Sequence, residues 1–185
     1  MEQEVKKHYV EAGEAIQDAR EVARKHAEPG VNLKELAETI EQSIADNGLE
    51  PAFPVNLSIN EQAAHYTPGV KENRVLKADD IVKIDIGAHS NGYIADTALT
   101  VNPSGEHQAL IDAVENLLEK ALEFIEPGKT VGQFGTYMEN QIPKDYNVVR
   151  NLTGHYLGQF TQHAGVSIPN GANDNPHKFK VGDAF

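Results

Sequence analysis

Residues 83–101 read KIDIGAHSNGYIADTALTV, and their reading decides the fold class. Asn91-Gly92 at the centre is a hairpin signal with a mechanism. A two-residue type I′ turn needs positive φ at both central positions, and these residue types tolerate it. The pattern predicts a strand on each side of the turn, over Ile81 to Val101. With no bulge, Asp85 faces Ala98 and Asp96 faces Gly87. Side chains alternate along a strand, so both carboxylates project from one face as diagonal neighbours, roughly 7–8 Å apart or less at Cβ. Ile84, Ile86, Ile94 and Ala95 beside them are apolar, which sets the acids partly in the core. Two such carboxylates repel and lose hydration unless a cation compensates. A divalent metal, or a pair of them about 3.5–4 Å apart, is the natural counter-ion. The plain alternative is a hairpin with one wet face and two ordinary surface charges. Gly87, Ala88, Ala95 and Ala98 leave room above that face and favour a site.

Outward from the hairpin, the periodicity changes. Toward the N terminus, Val5, Tyr9, Ala12, Ile16, Ala19 and Ala23 recur at three- and four-residue steps, a helix over 2–28 closed by Pro29-Gly30. Asn32 with Glu35 resembles a capping box, opening a second helix with Leu33, Leu36, Ile40 and Ile44 inside. PAFPVNLSIN, residues 51–60, is extended and Pro-punctuated, as suits an edge strand. Past the hairpin, Leu110, Val114, Leu117, Ala121 and Leu122 mark the apolar side of a third helix. Thr130 and Gln133 cap a fourth, which carries Phe134, Tyr137 and Met138. From Tyr146 the chain reads as strand again, through HAGVSIP and HKFKVGDAF. Helices, strands, helices, strands in that order predict an α+β fold, an antiparallel sheet with helices packed on one side.

Composition narrows the chemistry. The 185 residues suit a single domain, and 39% of them are hydrophobic, enough for a real core. Without Cys, disulfides, zinc knuckles and thiol nucleophiles are excluded. Lys+Arg number 16 against 28 Asp+Glu, a formal charge of -12, which argues against direct nucleic-acid binding. The absence of an apolar run of membrane-spanning length and of a signal-like N terminus leads to the expectation of a cytoplasmic protein without a membrane partner. Of the eight His, His8, His26 and His107 read as solvated, His177 as a turn residue and His89 as structural at the hairpin. His65, His155 and His163 stand in small-residue, turn-like settings, and Gly154 beside His155 permits close approach.

Three stretches, NLSINEQAAHYTP (56–68), KIDIGAHSNGYIADTALTV (83–101) and NLTGHYLGQFTQHAGVSIPN (151–170), closely resemble the type 2 methionine aminopeptidases, particularly archaeal ones, of the pita-bread metallopeptidases. The likeness runs along essentially the whole chain. It implies removal of the initiator Met from nascent polypeptides by water activated at a dinuclear metal site. It also implies roles for individual residues. Asp85 matches a terminal metal ligand, Asp96 the bridging ligand and His155 the imidazole ligand. His65 and His163 match two non-ligand His around the scissile bond, and Phe53 an aromatic wall of the methionine pocket. The ions would be Co, Mn, Fe or Zn, all compatible with carboxylates and one imidazole.

The family pattern carries two further Glu ligands, downstream of the sequence GDAF. The expectation is therefore an incomplete pita-bread domain of about 60%, with two N-terminal helices over 2–48, a first half to about 145 and the start of the second over 146–185. Three of five ligands then remain, and weak metal binding with little peptidase activity is expected. Gln162, where the family has an aliphatic pocket residue, is a second departure. The competing reading is a catalytically silent pita-bread module, or half of a split enzyme, acting through a protein partner such as a ribosome or a missing C-terminal half. A proline-directed peptidase of the same fold is the alternative among enzymes. The GH-x7-H spacing from His155 to His163 favours the methionine branch.

Overall fold

The computed structural model describes residues 1–185. Two compact units divide it, one over Glu2–Gln108 and one over Ala109–Phe185 together with Met1. The first holds helices α1 (Gln3–His26) and α2 (Leu33–Asp46) and strands β1 (Glu50–Ile59), β2 (Val82–Ser90) and β3 (Tyr93–Val101). The second holds α3 (Gln108–Phe124), α4 (Val131–Gln141), β4 (Gly154–Gly158) and β5 (Thr161–Ile168). No helix is long and apolar enough to cross a membrane.

In the first unit the strands form an antiparallel sheet in the order β1-β2-β3, so the Pro-punctuated β1 is an edge strand as its sequence predicts. Asn91 and Gly92 have φ of 50° and 81°, the left-handed pair a type I′ turn demands. The hairpin register follows without a bulge: Asp85 pairs with Ala98 and Gly87 with Asp96. Val82, Ile84, Ile86 and Ala88 alternate onto the face covered by helices and are buried. α1 lies against β2 and β3, and α2 against α1 and β1. Ala12, Ala15, Ala19 and Ala23 keep the inner stripe of α1 narrow, letting it approach closely. Leu33, Leu36, Ile40 and Ile44 of α2 complete the core with Val55 and Leu57. Each large aliphatic buried there contributes roughly 1.5–3 kcal/mol over an exposed one.

Local signals close the helices. The Asn32 side chain accepts from the backbone N–H groups of Lys34 and Glu35 at the start of α2. Thr130 and Gln133 form a reciprocal capping box on α4. α4 then buries Val131, Phe134 and Met138 with Ile168 and Phe179 in the core of the second unit. Gly132 and Gly135 let the backbone of Gly171, Asn173 and Asn175 lie directly on the helix.

Three expectations are corrected. On α3, Leu117 and Ala121 do pack into the second core, but Val114 and Leu122 are 55% and 65% exposed, with Leu118 between them at 51%. The helix turns Ile111, Leu117, Ala121 and Phe124 inward, and the stripe read from Val114 to Leu122 straddles that edge. Residues 146–153 are irregular, and the strand begins only at Gly154; the Leu152 carbonyl takes an amide proton from Asn170 instead of a ladder partner. HKFKVGDAF is not a strand either. Its backbone pairs with the turn before α4, through Val131 N–H to His177 O and Phe179 N–H to Lys129 O, and Lys178 makes only an isolated bridge to Thr130.

Candidate metal centre

On the face of the first sheet turned away from the helices, the β2 row is Lys83, Asp85, Gly87 and His89, and the β3 row is Thr100, Ala98, Asp96 and Ile94. Asp85 and Asp96 are half-buried diagonal neighbours across that row. Phe53 of β1 pairs with Gly87, and its ring occupies the space a Cβ at residue 87 would take. The ring of Phe53 thus lies over the bare Gly87, the strand position opposite Asp96. Asn56 of β1 is paired with Asp85, and its Oδ1 accepts from the Thr67 hydroxyl at 2.6 Å. Lys83 turns its ammonium to the Asn60 carbonyl oxygen at 2.7 Å, and burial pulls its pKa below the ordinary lysine value.

His65 lies on the loop that follows β1. It is exposed and adopts φ of 68°, a left-handed conformation that non-glycine residues rarely hold. Its neighbour Tyr66 is joined to β1, the Tyr66 carbonyl accepting from Leu57 N–H at 2.7 Å. The Tyr66 phenol donates to Glu72, and the Arg74 guanidinium stacks over the Tyr66 ring with its carbon 4.1 Å from the centroid. Arg74 first and the phenol second hold the Glu72 carboxyl down to about 2, and the same bond to Glu72 raises the Tyr66 phenol.

In the second unit, β4 and β5 pair antiparallel with irregularities after His155 and Tyr156. Gly165 takes φ of 66° where β5 makes its detour. His155 and His163 share one face of this ribbon, their rings edge to face with centroids 4.3 Å apart. The His155 Nδ1 lies 3.4 Å from the Tyr156 carbonyl oxygen, a contact in which the ring nitrogen can only be the donor. Tyr156 itself faces the other way, ring to ring with Phe179 and His177. Gln162 alternates onto the Tyr156 side of β5 with Ala164, away from His163.

Within each unit by itself, no three His, Asp or Glu side chains gather as a metal cage. The acid pair belongs to one unit and the imidazole pair to the other.

Among the histidines read as bland, His89 takes the structural part expected of it, its Nδ1 accepting from Gly92 N–H at 3.3 Å within the hairpin turn. His26 and His107 are exposed. His8 is a correction. It is only 18% exposed, its Nδ1 is 2.8 Å from the Ser90 hydroxyl, and its ring stacks on Tyr93 at 5.6 Å. The helical pattern around His8 carries no sign of Ser90 or Tyr93, which only the tertiary fold brings there. Asn56 opens the stretch NLSINEQAAHYTP, and Glu72 and Arg74 follow shortly after it, but no local pattern marks the partners they meet.

A methionine aminopeptidase of Pyrococcus abyssi is 46% identical over 179 residues, 95% of this chain and 60% of that protein. The chain therefore spans about 60% of the length of such relatives. A methionine aminopeptidase of Methanothermus fervidus is 38% identical over 184 residues, covering 92% of this chain and 98% of that one. Among solved structures, the methionine aminopeptidase of Thermotoga maritima superposes with a TM-score of 0.88 at 26% identity, over 99% of this chain and 77% of its own. The fold is thus that of the pita-bread enzymes. The sequence pattern of metallopeptidase family M24 matches residues 7–185, and the chain belongs to that family.

Proposed function

We propose that this chain is part of a methionine aminopeptidase, which removes the N-terminal Met of nascent polypeptides with the help of two divalent ions, Co, Mn, Fe or Zn. The observation that carries the reading is the hairpin register, which sets Asp85 and Asp96 on one face beside the bare Gly87. The donor set fits hard or borderline cations: two half-buried carboxylates and an imidazole. Asp85, Asp96 and His155 would hold the ions. When bound, these would supply Lewis acidity for a carbonyl and activate water.

The remaining work falls to the chain's own side chains. His65 and His163 would hydrogen-bond the substrate amide and stabilise charge on the scissile carbonyl oxygen. Phe53 would offer its ring to the thioether of a Met side chain, a favourable sulfur–aromatic contact. Gln162, set on the other side of β5, leaves the His163 face free of its amide. A ribosome or a C-terminal partner half belongs to the same proposal as a further partner.

Calorimetric titration of the purified chain with Mn(II) or Co(II) tests this reading. Wild-type protein should bind, and Asp85→Ala and Asp96→Ala should each weaken binding by at least about tenfold, the cost of losing even a group that only supports a ligand. Equal affinity in wild type and both variants would remove the metal centre from these carboxylates.

A further inference from the structure

We propose that Glu72 is a positioning residue for His65: acting through Tyr66 and Arg74, it fixes the loop that presents the imidazole. The inference rests on the reading of His65 as a substrate-binding group. Its starting point is backbone geometry. A residue other than Gly stays at φ of 68° only where its surroundings over-determine it. Here the surroundings are Tyr66 and what holds Tyr66.

Tyr66 is gripped from four sides. Its carbonyl accepts from Leu57 N–H and its N–H donates to the Ser58 hydroxyl at 3.3 Å, fixing its backbone to β1. Its phenol donates to Glu72, and its ring lies beneath Arg74. Glu72 is the hub. One of its oxygens accepts from the backbone N–H groups of Asn73 and Arg74 at 3.0 and 2.9 Å and from Arg74 Nε at 3.2 Å. The other takes the phenol and Arg74 Nη2, the latter at 3.1 Å. The Glu72 side chain is 5% exposed while Arg74 is 43% exposed, so the carboxylate is enclosed by its own partners near the surface.

The hub is itself anchored. The Glu72 carbonyl accepts from the Asn32 side chain at 3.3 Å, and the Arg74 carbonyl from Leu33 N–H at 3.1 Å, both at the start of α2. One residue beyond Tyr66, the Thr67 hydroxyl donates to Asn56, the residue paired with Asp85. The segment 65–74 is therefore spanned between α2 and the strand row that carries Asp85. Loosening Glu72 frees the end of the loop beside His65 without touching the acid pair.

The test uses the 185-residue protein without metal or peptide. The ring Cε1–H signals of the eight His are followed by NMR, with His65→Gln identifying the His65 signal. Glu72→Gln should shift and broaden the His65 signal and speed amide exchange at Tyr66 by about tenfold or more, leaving His89 and His163 in place. Arg74→Lys, which keeps charge but loses the fork, should give a smaller shift in the same direction. An unmoved His65 signal in Glu72→Gln overturns the proposal, and so does a common shift of all eight. Should Glu72→Gln fail to fold, Tyr66→Phe removes a single hydroxyl and is read the same way. These outcomes do not depend on substrate. If instead the His65 signal responds as expected while His65→Gln leaves the affinity for a Met-Ala-Ser peptide unchanged, the loop clamp stands and the assignment of His65 to substrate falls.

Discussion

Gly87 shows how one absent side chain shapes the candidate site. A Cβ there would overlap the Phe53 ring, so Gly87→Ala must push the ring off the sheet. Overpacking of this kind costs roughly 1–3 kcal/mol. Urea denaturation should show that loss, and most of it should vanish in a Phe53→Ala background; an equal loss in both backgrounds would mean the ring is not the obstacle. Glu72 gives the residue-scale pH prediction. Its carboxyl is held down to about 2 against an ordinary 4.5, so its contribution is complete above about pH 4.5 and is lost as pH falls toward 2. Tyr66 is raised, so its contribution is complete below its ordinary 10 and is lost as pH climbs through the raised value. The stability gap between wild type and Glu72→Gln should thus narrow steadily from about pH 5 to about pH 2.5 in denaturation experiments. The two aspartates were legible in the sequence because a turn type and a period of two fix where a strand residue points. Glu72 was not, since its partners meet it in an irregular loop without a period, and His8 was not, because Ser90 and Tyr93 reach it from 82 and 85 positions away.

Elements repeat that division between local and tertiary information. The cap of α4 was readable because Thr130 and Gln133 satisfy each other's backbone groups within one turn. Thr130→Ala should cost about 0.5–2 kcal/mol, measured by urea midpoint, and a cost near zero would deny the cap any part in stability. α3 was read less well, because a 3.6-residue period locates an apolar stripe but not which margin of it meets a neighbour. The structure buries Ile111 at 5% exposure and leaves Leu118 at 51%. Ile111→Ala should therefore cost about 2–5 kcal/mol, whereas Leu118→Gln should stay within about 0.5 kcal/mol. Comparable losses at both positions would mean the outer margin of α3 is covered in solution. The tail HKFKVGDAF looked like a strand from composition alone. Its backbone bonds go to Gly128, Lys129 and Val131, and through the Ala184 carbonyl to Leu157 N–H, and no periodicity within the tail encodes partners of that kind.

Over the whole molecule the deciding quantity is charge. With 16 basic and 28 acidic side chains the chain carries -12, against a pI near 5.0. Several carboxylates have local partners, such as Glu139 with Arg150 and Glu72 with Arg74, but acidic side chains still outnumber basic ones, 28 to 16. Like charges spread over a compact surface repel, and that repulsion relaxes when the chain unfolds, so it subtracts from stability at neutral pH. Added salt screens it over a Debye length of about 10 Å at 0.1 M. Raising NaCl from about 0.02 to 0.2 M should therefore raise the melting midpoint at pH 8. The same step at pH 5, where the net charge is close to zero, should change it much less, since salt there weakens attractive pairs as much as repulsive ones. The contrast between the two pH values separates self-repulsion from a general salting effect on apolar surface, which would act alike at both. Equal salt responses at pH 8 and pH 5 would show that the acid excess is compensated within the folded chain, and that the half-buried pair Asp85 and Asp96 sits in a field no more negative than a neutral protein would provide.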